Sequence, residues 1–137
     1  MAKRRRGSRA LRRLPPLRHE PFERIVAGVL AAIPPPFDRA LDEVAIVVEE
    51  EPSPAQRRDN DLAPDETLYG LYEGVPRTEW GADLASVPNK ISLFRWPLEA
   101  DFPDPLDLAE EIRLTVLHEL AHHLGIDDDR LETLGLQ

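Results

Sequence analysis

The chain has no cysteine, so no disulfide can hold it together and its stability has to come from packing. That absence is compatible with a reducing compartment. No apolar run is long enough to span a bilayer, and the basic first residues lack the apolar stretch of a secretory signal. A cytoplasmic protein without a membrane span is therefore expected. With 137 residues, 42% of them hydrophobic, the chain can bury one modest core, and no internal repeat divides it.

Acids are missing from one end. Residues 1–18 hold Lys3, Arg4, Arg5, Arg6, Arg9, Arg12, Arg13 and Arg18 and no acid, a charge of +8. The remaining 119 residues carry −17, because the whole carries −9. A basic, proline-containing arm of this kind is expected to be disordered when free. Residues 1–19 are thus read as an arm and 20–137 as the folded domain. Attraction to phosphate suggests weak electrostatic contact of the arm with nucleic acid or an anionic surface. The competing expectation is a solubilising tail, or one that folds onto its own acidic body, since no aromatic platform or reading helix stands beside the arginines.

The rest of the chain divides by periodicity. Phe22, Ile25, Val26, Val29, Leu30 and Ile33 make one helical stripe from Pro21 to Ile33, stopped by Pro34-Pro35-Pro36. A short helical turn is expected around Phe37 to Leu41, and Val44 to Val48 is a β-branched run that reads as a buried strand. Residues 50–66, rich in Pro, Asp, Glu and Asn, read as a loop. Leu68 to Tyr72 and Ile91 to Arg95 read as two further strands, separated by a loop containing Trp80 and Gly81. A last helix runs to Leu124, capped at its start by Asp104-Pro105 or by Asp107 with Glu110 as capping-box partner. The expected fold class is α+β: a sheet of about three strands, a backing helix, and a C-terminal helix.

That last helix contains His118-Glu119-Leu120-Ala121-His122. Histidines four apart share a helical face, so both imidazoles can reach one metal, and Glu119 beside them can take a proton from water that the metal activates. The donor types point to zinc. A catalytic zinc takes three protein ligands and leaves one position open, whereas one helical face supplies two, so the chain has to turn back. Gly125 suits the left-handed residue that ends a helix, and Asp128, three residues further on, is the expected third ligand. Asp127, Asp129 and Glu132 are the local alternatives. A third ligand from a second helix further along is not expected, because fifteen residues follow His122. His123 points about 140° away from His118 around the helix and is expected to be a packed or solvent-facing histidine. Tyr69, Tyr72, Arg95 and His123 are the candidate donors to an oxyanion.

The segment Leu114-Thr-Val-Leu-His118-Glu119-Leu-Ala-His122-His123-Leu-Gly125-Ile-Asp-Asp128-Asp-Arg-Leu131 resembles the signature of the small bacterial minimal zincin-like metallopeptidase family. The resemblance covers roughly residues 20–137. It implies a compact zincin-like fold, His118, His122 and Asp128 as ligands of Zn2+, Glu119 as general base, and a peptide or protein substrate. Two departures from larger zincins stand out: the only methionine is Met1, so no Met-turn underlies the metal, and the lower subdomain that forms the second wall of a peptidase cleft is missing. Two other function classes share the motif. One is a non-proteolytic zinc hydrolase or amidase. The other is an interaction module whose zinc has four protein ligands and a structural role.

Overall fold

The structure, a computed structural model, describes residues 2–5, 19–74, 89–126, 129–130 and 133. Along the chain the elements are β1 (Ala2–Arg5), α1 (His19–Ala31), α2 (Phe37–Ala40) running into a 3-10 turn (Leu41–Glu43), and β2 (Ala45–Glu49). Then come α3 (Pro54–Asp59), β3 (Glu66–Glu73), β4 (Lys90–Phe94), α4 (Arg95–Asp101) and α5 (Pro105–His123). This is an α+β fold with the expected C-terminal helix.

The strands form one mixed sheet in the order β1-β3-β4-β2. β4 is its centre: it pairs parallel with β2, Ala45 opposite Lys90 through Glu49 opposite Phe94, and antiparallel with β3, Gly70 opposite Leu93 and Tyr72 opposite Ile91. Ile91, Ser92, Leu93 and Phe94 are all fully buried, as a central strand covered on both faces requires. The edge strand β1 lies antiparallel to β3, with Ala2 opposite Gly70 and Arg5 opposite Glu66. It comes from the basic arm, where the sequence predicts no element. A ladder of backbone hydrogen bonds asks nothing of side-chain polarity, so a strand of this kind leaves no apolar pattern to read.

α5 lies on β3 and β4, and α1 packs against α5. Phe22, Val26 and Val29 from α1 and Ile33 just after it meet Ile112, Val116, Leu117 and Leu120 from α5 and Ile91 and Leu93 from β4 in one core. Each such side chain removed from water stabilises the fold by roughly 1.5–3 kcal/mol. Leu68, Leu71 and Phe94 form a smaller cluster covered by Leu62.

Two helices were not predicted. α3 interrupts the expected loop at 50–66: Ser53 Oγ accepts from the Gln56 amide at 3.1 Å while Gln56 Oε1 accepts from the Ser53 amide at 2.8 Å, a capping box with Pro54 in the first turn. α4 begins at Arg95, where the strand was expected to end. Asp104, rather than Asp107, caps α5, accepting from the amides of Leu106 and Asp107 at 2.8 and 3.2 Å. Glu110 pairs instead with Arg113, whose hydrogen bond holds the Glu110 carboxyl below the ordinary range.

Candidate metal centre

α5 carries the site because its inner face is anchored along its length. Leu108, Ile112, Thr115, Leu117, Glu119 and Leu120 are buried, which fixes the helix rotation and sets His118 and His122, both half-buried, one turn apart at its border. Their ring centroids lie 4.7 Å apart with the planes at 77°. One donor atom from each of His118, Glu119 and His122 falls within 4.8 Å of the others, a set able to hold a metal ion.

Glu119 is fully buried, and its orientation is imposed from the sheet. The backbone amide of Tyr72 on β3 donates to Glu119 Oε1 at 2.9 Å. His122 Nδ1 lies 3.5 Å from the same oxygen. The second oxygen, Oε2, is also buried, as is His118 Nε2, and neither atom has a hydrogen-bond partner among the described residues. A buried carboxylate oxygen beside two imidazoles is a donor set suited to zinc and its activated water.

The contact between β3 and α5 depends on Gly70. A Cβ there would stand 2.5 Å from Thr115 Cγ2 and 3.2 Å from the Ser92 carbonyl oxygen. Thr115 precedes Glu119 by one helical turn, so the absent side chain of Gly70 lets the helix come close enough for the Tyr72 amide to reach the carboxylate.

The helix ends where the sequence suggested. Gly125 has φ 79°, its amide donates to the His122 carbonyl at 3.0 Å, and the Ile126 amide donates to the Ala121 carbonyl at 2.8 Å. These two bonds are a Schellman cap, accompanied by packing of Ile126 on the core. Asp128, the expected third ligand, lies outside the described residues, as do Asp127, Glu132, Trp80 and Gly81. Asp129 is exposed.

The four candidate oxyanion donors are engaged elsewhere. The Tyr69 hydroxyl donates to Asp101. Arg95 donates to Glu99 Oε1 at 2.5 Å and also pairs with Glu50; burial lowers its proton affinity, but the hydrogen bonds it donates to Glu50 and Glu99, with their negative charge, outweigh this and raise it overall. His123 is fully buried on the far side of α5, its ring nitrogens 3.0 Å from Tyr72 Oη and 2.7 Å from Glu43 Oε1. Tyr72 Oη donates in turn to Asn89 at 2.9 Å. The histidine next to the motif thus ties the end of α5 to β3 and to the turn before β2.

A buried carboxylate and two imidazoles on one helix, laid on a small mixed sheet, define a zincin-type candidate metal centre. The chain belongs to the zincin-like metallopeptidase family, which it matches over residues 41–136. It is also similar to a solved structure, a conserved hypothetical protein from Thermus thermophilus, at 27% identity and a TM-score of 0.49, over 86% of this chain and 97% of that one. No curated protein matches it. Among the described residues no helix is long and apolar enough to cross a membrane.

Proposed function

We propose that the protein is a zinc-dependent peptidase in which His118, His122 and Asp128 hold the metal and Glu119 is the general base. The observation that carries this reading is the placement of Glu119: fully buried, aligned by the Tyr72 amide, with a carboxylate oxygen in the same cluster as the two imidazoles. A structural carboxylate gains nothing from such burial, whereas a base gains fixed orientation and exclusion of bulk water. Zinc bound there supplies Lewis acidity and makes water nucleophilic near neutral pH.

The chain's own part in hydrolysis follows from the carboxylate. With one oxygen held by the Tyr72 amide, Glu119 accepts the proton of the attacking water and later passes it to the leaving amine as the peptide C–N bond breaks. The water's oxygen and second proton end on the new carboxyl group and the transferred proton on the amine, so Glu119 returns to its carboxylate form. The substrate is a peptide or protein segment, and a cytoplasmic location accords with the absence of cysteine.

Elemental analysis and turnover test the proposal together. The purified protein is expected to hold about one zinc per chain, and His118→Ala and His122→Ala to lose it. Glu119→Gln is expected to keep the zinc while hydrolysis of a peptide panel falls by about 10²–10⁴. Full zinc retention in both histidine variants rejects the centre. Zinc held without turnover on any panel member, and unaffected by Glu119→Gln, rejects the peptidase in favour of a structural metal.

A further inference from the structure

Tyr72 on β3 meets α5 twice. Its backbone amide donates to Glu119 Oε1 at 2.9 Å, and its hydroxyl lies 3.0 Å from His123 Nδ1. Residues 119 and 123 stand one helical turn apart, so the backbone and the side chain of a single strand residue hold successive turns of α5. The Tyr72 and His123 rings pack beside each other, with centroids 5.5 Å apart and planes at 59°. A carboxylate oxygen held by one donor can pivot about that bond. A second attachment of the same residue, one turn along the helix, fixes the donor's direction and with it the carboxylate's.

The second attachment is itself braced. His123 Nε2 lies 2.7 Å from Glu43 Oε1, in the 3-10 turn that leads into β2. Tyr72 Oη lies 2.9 Å from Asn89 Oδ1, and the Asn89 carbonyl accepts from the amide of Ala45, the first residue of β2, at 3.0 Å. Both branches from Tyr72 therefore close on the start of β2. Gly74 leaves room for one of them, since a Cβ there would collide with the same Asn89 oxygen. His123 and Glu119 are both fully buried. An apolar side chain would fill the place of His123 without needing partners, whereas a hydrogen-bonded network specifies one arrangement.

We propose that Tyr72 and His123, braced by Asn89 and Glu43, are positioning residues for Glu119. They hold the Tyr72 amide in the direction that orients the carboxylate, and they act through Glu119 alone. Their effect on hydrolysis rests on the proposed peptidase function, in which Glu119 is the base; their effect on the geometry of the Tyr72 amide does not.

The test uses the full chain and three variants. Tyr72→Phe removes the hydroxyl but keeps the ring and the backbone amide, His123→Leu removes both ring nitrogens, and His123→Asn keeps a polar group near the Nδ1 position. In the metal-free protein, hydrogen exchange at the amide of residue 72 is expected to be at least about tenfold faster in Tyr72→Phe and His123→Leu. The amides of Ile91 and Leu93 on β4 are expected to stay as in the wild type, and His123→Asn to recover most of the protection at residue 72. With zinc added, Tyr72→Phe is expected to keep about one zinc per chain and to lose about 10–100-fold in kcat on the peptide panel, with KM within about twofold. In the Glu119→Gln background the same substitution is expected to change the residual turnover by less than about twofold, because no base is left to orient. Unchanged exchange at residue 72 in Tyr72→Phe overturns the proposal, and so does equal quickening at residue 72, Ile91 and Leu93, which marks general loosening. A loss of kcat that is as large without Glu119 as with it, or a change confined to KM, overturns it as well. A wild type that binds zinc and hydrolyses nothing sinks the peptidase reading, and the exchange measurements then decide this proposal by themselves.

Discussion

Gly70→Ala probes the junction on which the centre depends. The added methyl would meet Thr115 Cγ2 at 2.5 Å and the Ser92 carbonyl oxygen at 3.2 Å. Thr115 is 2% exposed and β-branched on a helix, so its methyl has little freedom to rotate away. Overpacking of this kind costs about 1–3 kcal/mol, against which the lower entropy of the unfolded alanine chain returns about 0.4–1 kcal/mol. The expected net loss is roughly 1–2 kcal/mol, or about 3–10 °C in melting temperature for a domain of this size. Urea titration of wild type, Gly70→Ala, Thr115→Ser and the double variant checks the cause, because serine lacks the methyl that clashes. In the Thr115→Ser background the alanine is expected to cost less than about 0.5 kcal/mol, a coupling near 1 kcal/mol. Zinc affinity is expected to fall in the single variant and recover in the double. Additive effects would refute the close approach of Gly70 and Thr115 as the reason for glycine at this position.

Arg95→Ala is expected to destabilise by about 2–3 kcal/mol in thermal or urea unfolding, less than a fully buried pair would lose, because Glu50 is 50% exposed and regains water. His123→Ala is expected to cost about 3 kcal/mol, as it opens a cavity and strips Tyr72 and Glu43 of a buried partner, and hydrogen exchange at the Tyr72 amide is expected to quicken with it. Asp128→Asn is expected to weaken zinc, measured by chelator competition, by at least the 10–100-fold typical of losing an outer-shell partner. The depressed Glu110 carboxyl contributes stability above its unfolded pKa and loses it as pH falls through the lower folded value. Because the pair is exposed, Glu110→Gln is expected to flatten the acid limb of the unfolding curve only slightly, and less in salt.

What the sequence determined by itself is the part of the protein fixed by local geometry. Spacing of 3.6 residues per turn puts His118, Glu119 and His122 together on α5 whatever the helix touches, and Asp104 and Gly125 mark its two ends because capping is a property of neighbouring residues. The β-branched and aromatic runs gave β2, β3 and β4 for the same reason. The capping box at Ser53 was legible too, but the prolines and acids around it read as a loop. Tertiary structure decided everything that joins residues far apart in the chain. The Tyr72 amide meets a carboxylate 47 residues away, His123 meets Glu43 80 residues away, and Gly70 makes room for Thr115. Strand order, the parallel pairing of β2 with β4, and the seating of β1 on β3 belong to the same class. Such contacts follow from the closure of long loops around a shared core, which no periodicity encodes, so the sequence brought His118, Glu119 and His122 onto one stretch of helix while the fold supplied their orientation.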